Sequence, residues 1–328
     1  MGIKRKIIKK IMPGNIPNLQ YMSNKKIIVI LGPTASGKTD LSIKLAQKFN
    51  GEIVSADSRQ VYKEMDIGTG KITKKEMKGI PHYLLDVVSP KKRFSVAEYQ
   101  KLAVNSIEKI LEKELLPFLV GGSPFYIYSI TEGWEFPKLK PDQKLRKELE
   151  KKSVEELFEM LKKLDKERAN NIEKKNKRRL VRAIEIAKKI GKVPPLKRMP
   201  LFDCLILGIK KTKEKLNSLI EKRLLQRIET GMIEEIKNLH QKGVSWKRLD
   251  EFGLEYRWIS RYLQNKTTYS QMLKFLQKDI EKFAKRQMTW FTHQNFAKQN
   301  LGGFKKSKRI KWIKNQKEAE KSIKDFLD

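Results

Sequence analysis

Apolar positions along the chain fall into two alternating kinds of pattern. Ile27–Leu31 is a short apolar run rich in β-branched residues, the pattern of a buried strand. Glu52–Ala56, Leu115–Val120 and Leu201–Ile209 read the same way. Between them the spacing changes to the helical one. Thr39–Phe49 carries Leu41, Leu45 and Ala46 on one face, and Val96–Leu111 carries Ala97, Leu102, Ile107, Ile110 and Leu111. Strands alternating with helices predict an α/β fold, a parallel sheet with helices on both faces. From Trp134 to Pro200 the strand pattern stops. Asp142–Leu164 and Lys177–Ile190 are charged and helical in spacing, which predicts an all-helical insertion at 135–199 within a core formed by 25–134 and 200–328. After Lys210 the pattern is helical again over Thr212–Lys242, Tyr256–Leu263 and Ser270–Phe291, predicting a helical C-terminal region.

The segment between the first strand and the first helix carries chemistry. Gly32-Pro33-Thr34-Ala35-Ser36-Gly37-Lys38-Thr39 fits G-x-x-x-x-G-K-[ST]. Strand before and helix after is the setting in which successive backbone N–H groups and a helix N-terminus cradle an anion. Lys38 adds a point charge, and Thr39 is the candidate Mg²⁺ ligand. The loop by itself leaves the reaction open. An ATP-hydrolysing relative needs an acidic residue at the end of a neighbouring strand. Leu115–Val120 instead ends in Gly121-Gly122-Ser123, and the nearest strand-end carboxylate is Asp57. That favours group transfer over a motor or switch, with Asp57 a candidate general base facing the same crevice.

Composition adds a partner. The 328 residues include 73 Lys and Arg against 38 Asp and Glu, a formal charge of +35. So large a positive field attracts polyanions, nucleic acid first. Residues 1–24 read as a basic, flexible arm; Pro13, Gly14, Asn15 and Pro17 interrupt any apolar stretch that would make it a signal peptide. No run of about 18 apolar residues predicts a membrane span. Cys204 is the single cysteine and lies in an apolar run, which fits a reducing cytoplasm and a core role. His82, His240 and His293 are scattered and have no cysteine partners, so His82 is expected to be structural. Trp312, in the basic tail from Lys305, is expected to pack rather than stack on a base.

A series of motifs, in order, resembles the tRNA dimethylallyltransferase (tRNA isopentenyltransferase) family. It consists of the loop at 32–39, Ser-Ala-Asp-Ser-Arg-Gln-Val-Tyr at 55–62, Met-Asp-Ile-Gly-Thr-Gly-Lys at 65–71, Pro-His-Tyr-Leu-Leu-Asp at 81–86, Val-Gly-Gly-Ser at 120–123, Arg-Leu-Val-Arg-Ala-Ile-Glu at 179–185 and Lys-Arg-Gln-Met-Thr-Trp-Phe at 285–291. The resemblance spans roughly residues 25–315. It implies a P-loop NTPase-like core and transfer of a dimethylallyl group from dimethylallyl diphosphate to the exocyclic amine of the adenosine just 3′ of the anticodon. It implies Asp57 as base and Ser123, where the family usually has threonine, as the residue holding the adenine amine. Diphosphate would be held by Gly32, Thr34, Ala35, Ser36, Gly37, Lys38, Thr39 and Arg223, with Mg²⁺ at Thr39. The tRNA anticodon stem-loop would be contacted by Asp57, Ser58, Arg59, Gln60 and Ser123, by Arg146, Arg178, Arg179 and Arg182 of the insertion, and by Arg257 in Phe252–Arg257. The family also suggests a monomer. Two other readings fit parts of the sequence: a small-molecule or nucleotide kinase, which likewise pairs such a loop with a strand-end aspartate, and a non-catalytic RNA-binding protein. The basic insertion and the charge argue against the first. The intact set of Lys38, Thr39, Asp57 and Ser123 argues against the second.

Overall fold

The computed structural model describes residues 25–292 and 310–328. The arm at 1–24, His293 and the start of the tail at Lys305 lie outside the described residues. The chain forms two compact units, one of 25–133, 200–291 and 310–328, the other built on 134–199.

The first unit is a six-stranded, all-parallel sheet flanked by helices. Its strands are β1 (Lys26–Leu31), β2 (Gly51–Ala56), β3 (His82–Tyr83), β4 (Leu116–Gly121), β7 (Asp203–Ile209) and β8 (Ile310–Ile313), in the order β3-β2-β4-β1-β7-β8. β1 lies at the centre between β4 and β7, and five of its six residues are buried, as a strand covered on both faces requires. Helix α1 (Lys38–Lys48) packs Ile43, Leu45 and Ala46 against Ile28, Ile30 and Ile53 of the sheet. An isoleucine or leucine side chain contributes about 1.5–3 kcal/mol when fully buried, and an alanine methyl less. Helix α2 (Val96–Glu112) starts at a capping box, with the Ser95 and Glu98 side chains each serving the other's backbone N–H. Its buried face is Tyr99, Ala103, Ile107 and Ile110; Ala97, expected on that face, is exposed. Tyr99 takes its place because its hydroxyl donates to the Ser55 carbonyl at 3.0 Å while its ring stacks on Tyr126 of α3 (Pro124–Thr131) at 3.7 Å.

The C-terminal region is helical, as its pattern predicts, with one short strand that the pattern does not show. Ile310–Ile313 is the edge strand β8, parallel to β7, with Trp312 over Gly208 as expected of a packing residue. Four residues among lysines are too few to register as a strand until the sheet edge offers them partners. The predicted Thr212–Lys242 helix is two, α8 (Lys213–Glu229) and α9 (Met232–Gln241), separated at Thr230-Gly231. Then come α10 (Trp246–Phe252), α11 (Leu254–Leu263), α12 (Tyr269–Thr292) and, after β8, α13 (Gln316–Leu327).

The second unit is not all-helical. Alongside α4 (Gln143–Glu150), α5 (Val154–Leu164), α6 (Lys166–Asn170) and α7 (Lys177–Ile190) it holds a two-stranded antiparallel ribbon, β5 (Trp134–Glu135) with β6 (Lys197–Arg198). Two residues per strand carry no readable alternation. The predicted helix at Asp142–Leu164 is interrupted because Ser153 and Glu156 form a capping box that starts α5 afresh. The core of this unit is Leu149, Leu157, Leu161, Leu180 and Ile184 with their neighbours.

Candidate active site at the ends of the parallel strands

A cavity of about 400 Å³ opens beyond the carboxyl ends of β1, β2 and β4, where ligands bind in open α/β sheets. The phosphate loop forms one wall. Gly37 turns with φ +87°, a conformation that costs glycine nothing, and Ala35 also takes a positive φ of 60°. This turns the chain from β1 into α1. The Ser36 hydroxyl is buried with no hydrogen-bond partner. Thr34, Lys38 and Thr39 line the cavity. The Lys38 ammonium donates to the Pro33 carbonyl at 3.1 Å. Its pKa is lowered to about 8, chiefly by burial, with Asp57 opposing the shift and Arg223 and Arg227 adding to it.

Further lining comes from the residues after β2 and β4. Asp57 Oδ1 accepts the backbone N–H of Arg59 at 2.8 Å and of Gln60 at 3.4 Å. One carboxylate oxygen therefore shapes the turn, and the other is left for the cavity. Ser123 sits at the N-cap of α3, yet its hydroxyl does not cap that helix. It accepts the Ser58 N–H at 2.9 Å and so ties the ends of β2 and β4 together. Arg59 donates from Nε to the Phe252 carbonyl at 2.9 Å and lies over the Phe252 ring, and burial lowers its pKa. Gln60 donates to the Gly70 carbonyl at 3.2 Å. The loop 65–71 is itself braced: the N–H groups of Asp66, Ile67 and Gly68 all donate to the Glu235 carboxylate, which also accepts the Tyr256 hydroxyl.

Asp57, Ser58, Arg59, Gln60, Ser123, Lys38, Thr39, Thr34, Arg223 and Arg257 thus line one cavity. Gly32, Ala35, Ser36 and Gly37 shape the loop behind it. Arg146, Arg178, Arg179 and Arg182 belong to the second unit. Arg146 and Arg182 both bond the fully buried Glu185, Arg146 through two nitrogens at 2.8 and 3.0 Å. Arg179 pairs with Glu173 at 3.2 Å. Arg178 is exposed. His82 bonds the Ile80 carbonyl through Nδ1 at 2.8 Å in β3, and it also lines the cavity, its Nε2 buried without a hydrogen-bond partner. Among the described residues no three His, Cys, Asp or Glu side chains gather into a metal cage. A cation here would take the Thr39 hydroxyl and otherwise phosphate and water oxygens, the mode usual for Mg²⁺. The unpartnered Ser36 hydroxyl in the same loop leaves room in the donor set for such a group.

Sequence reasoning missed Arg227, Glu235, Glu255 and Gln287. Arg227 stands four residues after Arg223 on α8, a spacing that puts both on one helix face and was legible. Gln287 of α12 lies in the 285–291 motif, but nothing local says what its side chain bonds. Its side chain accepts the Thr34 N–H at 2.9 Å and donates to the Gly122 carbonyl at 2.7 Å, and those partners are 253 and 165 positions away.

Fold and site together define an α/β phosphate-loop enzyme whose strand-end groups suit group transfer. Residues 60–294 match the family model described as IPP transferase. The chain is 41% identical over 272 residues to tRNA dimethylallyltransferase 1 of Syntrophus aciditrophicus, covering 81% of this chain and 89% of that one. Among solved structures it is similar to the tRNA isopentenylpyrophosphate transferase of Bacillus halodurans, with TM-score 0.67 and 33% identity over 93% and 96% of the two chains. It is also similar to a eukaryotic dimethylallyltransferase acting on tRNA, with TM-score 0.76 and 26% identity over 93% and 78%. The chain belongs to the IPP transferase family, the family of the tRNA dimethylallyltransferases.

Proposed function

We propose that the protein transfers the dimethylallyl group of dimethylallyl diphosphate to the N6 amine of the adenosine 3′-adjacent to the anticodon of tRNA, releasing diphosphate. The observation that carries this reading is the gathering of phosphate-loop cations and strand-end groups around one cavity. Lys38 and Arg223 supply its positive charge, and Asp57 and Ser123 its carboxylate and hydroxyl. The amine lone pair is drawn into the adenine ring, so transfer needs a base and a stabilised leaving group. The N6 nitrogen attacks C1 of the dimethylallyl group. The C1–O bond breaks, its electron pair leaves with diphosphate, and the N6 proton passes to the free oxygen of Asp57. Lys38, Arg223 and the loop amides stabilise the charge that develops on the diphosphate, where such groups count most. Mg²⁺, held at Thr39, would supply further neutralisation of those oxygens. Ser123 Oγ accepts one backbone N–H and keeps a second lone pair for the adenine amine.

The tRNA is held by Asp57–Gln60 and Arg257 at the cavity and by exposed cations such as Arg178 on the insertion. A cytoplasmic, monomeric enzyme suits this substrate; no helix among the described residues is long and apolar enough to cross a membrane. Family membership sets the kinase reading aside.

Incubation with tRNA and radiolabelled dimethylallyl diphosphate should label the tRNA; label arriving only from ATP would refute the reading. Asp57→Ala should cut turnover by about 10²- to 10⁴-fold, a larger factor than its effect on tRNA affinity. Affinity for tRNA should fall steeply with salt; a flat response would exclude the basic residues as the grip.

A further inference from the structure

We propose that Arg227 is a second diphosphate-binding guanidinium, and that with Arg223 it makes the site select a diphosphate over a monophosphate. This rests on the cavity being the dimethylallyl diphosphate site.

Both arginines project from one face of α8 and both line the cavity. Their tips converge on Gly70. A Cβ built there would lie 2.0 Å from Arg227 Nη2 and 3.1 Å from Arg223 Nη2, so the absence of a side chain at Gly70 is what lets the two guanidinium groups come together. Like charges this close repel, and the protein answers only part of the charge. Arg223 has no hydrogen bond or ion pair with any described residue. Its pKa is lowered to about 10, first by burial and then by Arg227. Arg227 is held through Nη1 alone, to the Glu255 carboxylate at 3.3 Å and the Gly68 carbonyl at 3.4 Å. Its Nη2 and Nε keep their donors. The field of both arginines reaches the Lys38 ammonium.

This arrangement fits an anion larger than one phosphoryl group. The loop amides and Lys38 suffice for a single phosphate. A second phosphoryl group brings more charge and more acceptor oxygens, and paired guanidinium forks are the side chains suited to them. Glu255 is the positioning residue: by engaging Nη1 it fixes the fork and leaves Nη2 on the cavity side. A strut between α11 and the 65–71 loop would use the same Glu255 and Gly68 bonds, and the two roles differ in what they do to anion affinity.

Isothermal titration of the full chain with inorganic diphosphate and with inorganic phosphate tests this. Arg227→Met should weaken diphosphate binding about 10- to 100-fold, the loss of a charge-assisted hydrogen-bond pair, and phosphate binding by less than about threefold. Arg227→Lys should recover part of the loss, because it restores the charge without the fork. Affinity for tRNA should stay near the parent's. Glu255→Gln, which keeps the shape of the tether, should weaken diphosphate binding by a smaller factor and serves if Arg227→Met does not fold. Equal losses for the two anions, or unchanged diphosphate affinity with a lowered melting temperature, would make Arg227 a strut and overturn the proposal. The parent protein provides the control: failure to transfer label from dimethylallyl diphosphate sinks the functional reading, whereas normal transfer with an unaffected Arg227→Met sinks only this one.

Discussion

Replacing Gln287 by leucine removes one side-chain amide and opens two backbone bonds at the centre of the site. Gln287 is 4% exposed on α12. Its Oε1 accepts the Thr34 N–H at the start of the phosphate loop, and its Nε2 donates to the Gly122 carbonyl at the end of β4. Leucine fills similar space without polar atoms, leaving a donor and an acceptor unsatisfied in a region water reaches poorly. Each such orphan costs about 1–3 kcal/mol, so the pair costs about 2–6 kcal/mol. That is a large part of the 5–15 kcal/mol typical of a folded domain. Urea unfolding of the full chain measures the loss. Hydrogen exchange at the Thr34 amide locates it, because that proton should pass from protected to freely exchanging. Diphosphate affinity should fall as well, since the loop would no longer be held in its binding shape before the ligand arrives. Gln287→Glu separates the two bonds, because a carboxylate still accepts from Thr34 but cannot donate to Gly122. Gln287→Leu within about 0.5 kcal/mol of the parent, with diphosphate affinity unchanged, would refute the reasoning.

Two further outcomes follow from charge. Burial alone would raise the Glu185 carboxyl, but hydrogen bonds from Arg146, Arg182 and the Asp142 N–H outweigh it and hold the pKa at about 2. A folded pKa below the unfolded one means stability that is fully present above about pH 4.5 and lost as pH falls toward 2; the shift corresponds to about 3 kcal/mol. Glu185→Gln should remove that acid-sensitive part, seen as a flattened dependence of unfolding free energy on pH; an unchanged slope would exclude Glu185. Burial lowers the Lys38 pKa to about 8, so dimethylallyl diphosphate should bind more weakly as pH rises through that value, where the ammonium is lost. Lys38→Arg should move that decline upward; a decline left at the same pH would place its origin elsewhere.

Several parts of the molecule were legible in the residues themselves. The central strands, the loop at 32–39, the helix after it and the strand-end position of Asp57 all rest on local pattern, and the local pattern is what forms them. The motif series at 55–62, 65–71 and 120–123 points to one family without any tertiary contact. Errors fell where a partner decides the outcome. β8 is a strand because β7 offers an edge, Tyr99 rather than Ala97 faces the sheet because Ser55 and Tyr126 receive it, and β5 and β6 exist only as a pair.

The sequence by itself determined the α/β alternation, the phosphate loop, the charge that calls for a polyanion and the strand-end carboxylate. Those properties depend on residues close together in the chain or on sums over all of it. Only the tertiary structure decided which groups share the cavity. Gln287 meets Thr34, Glu235 meets the 66–68 amides, and Arg227 joins Arg223 beside Gly70. Hydrogen bonds and charges act over a few ångströms, and distance along the chain carries no record of which residues folding will bring that near.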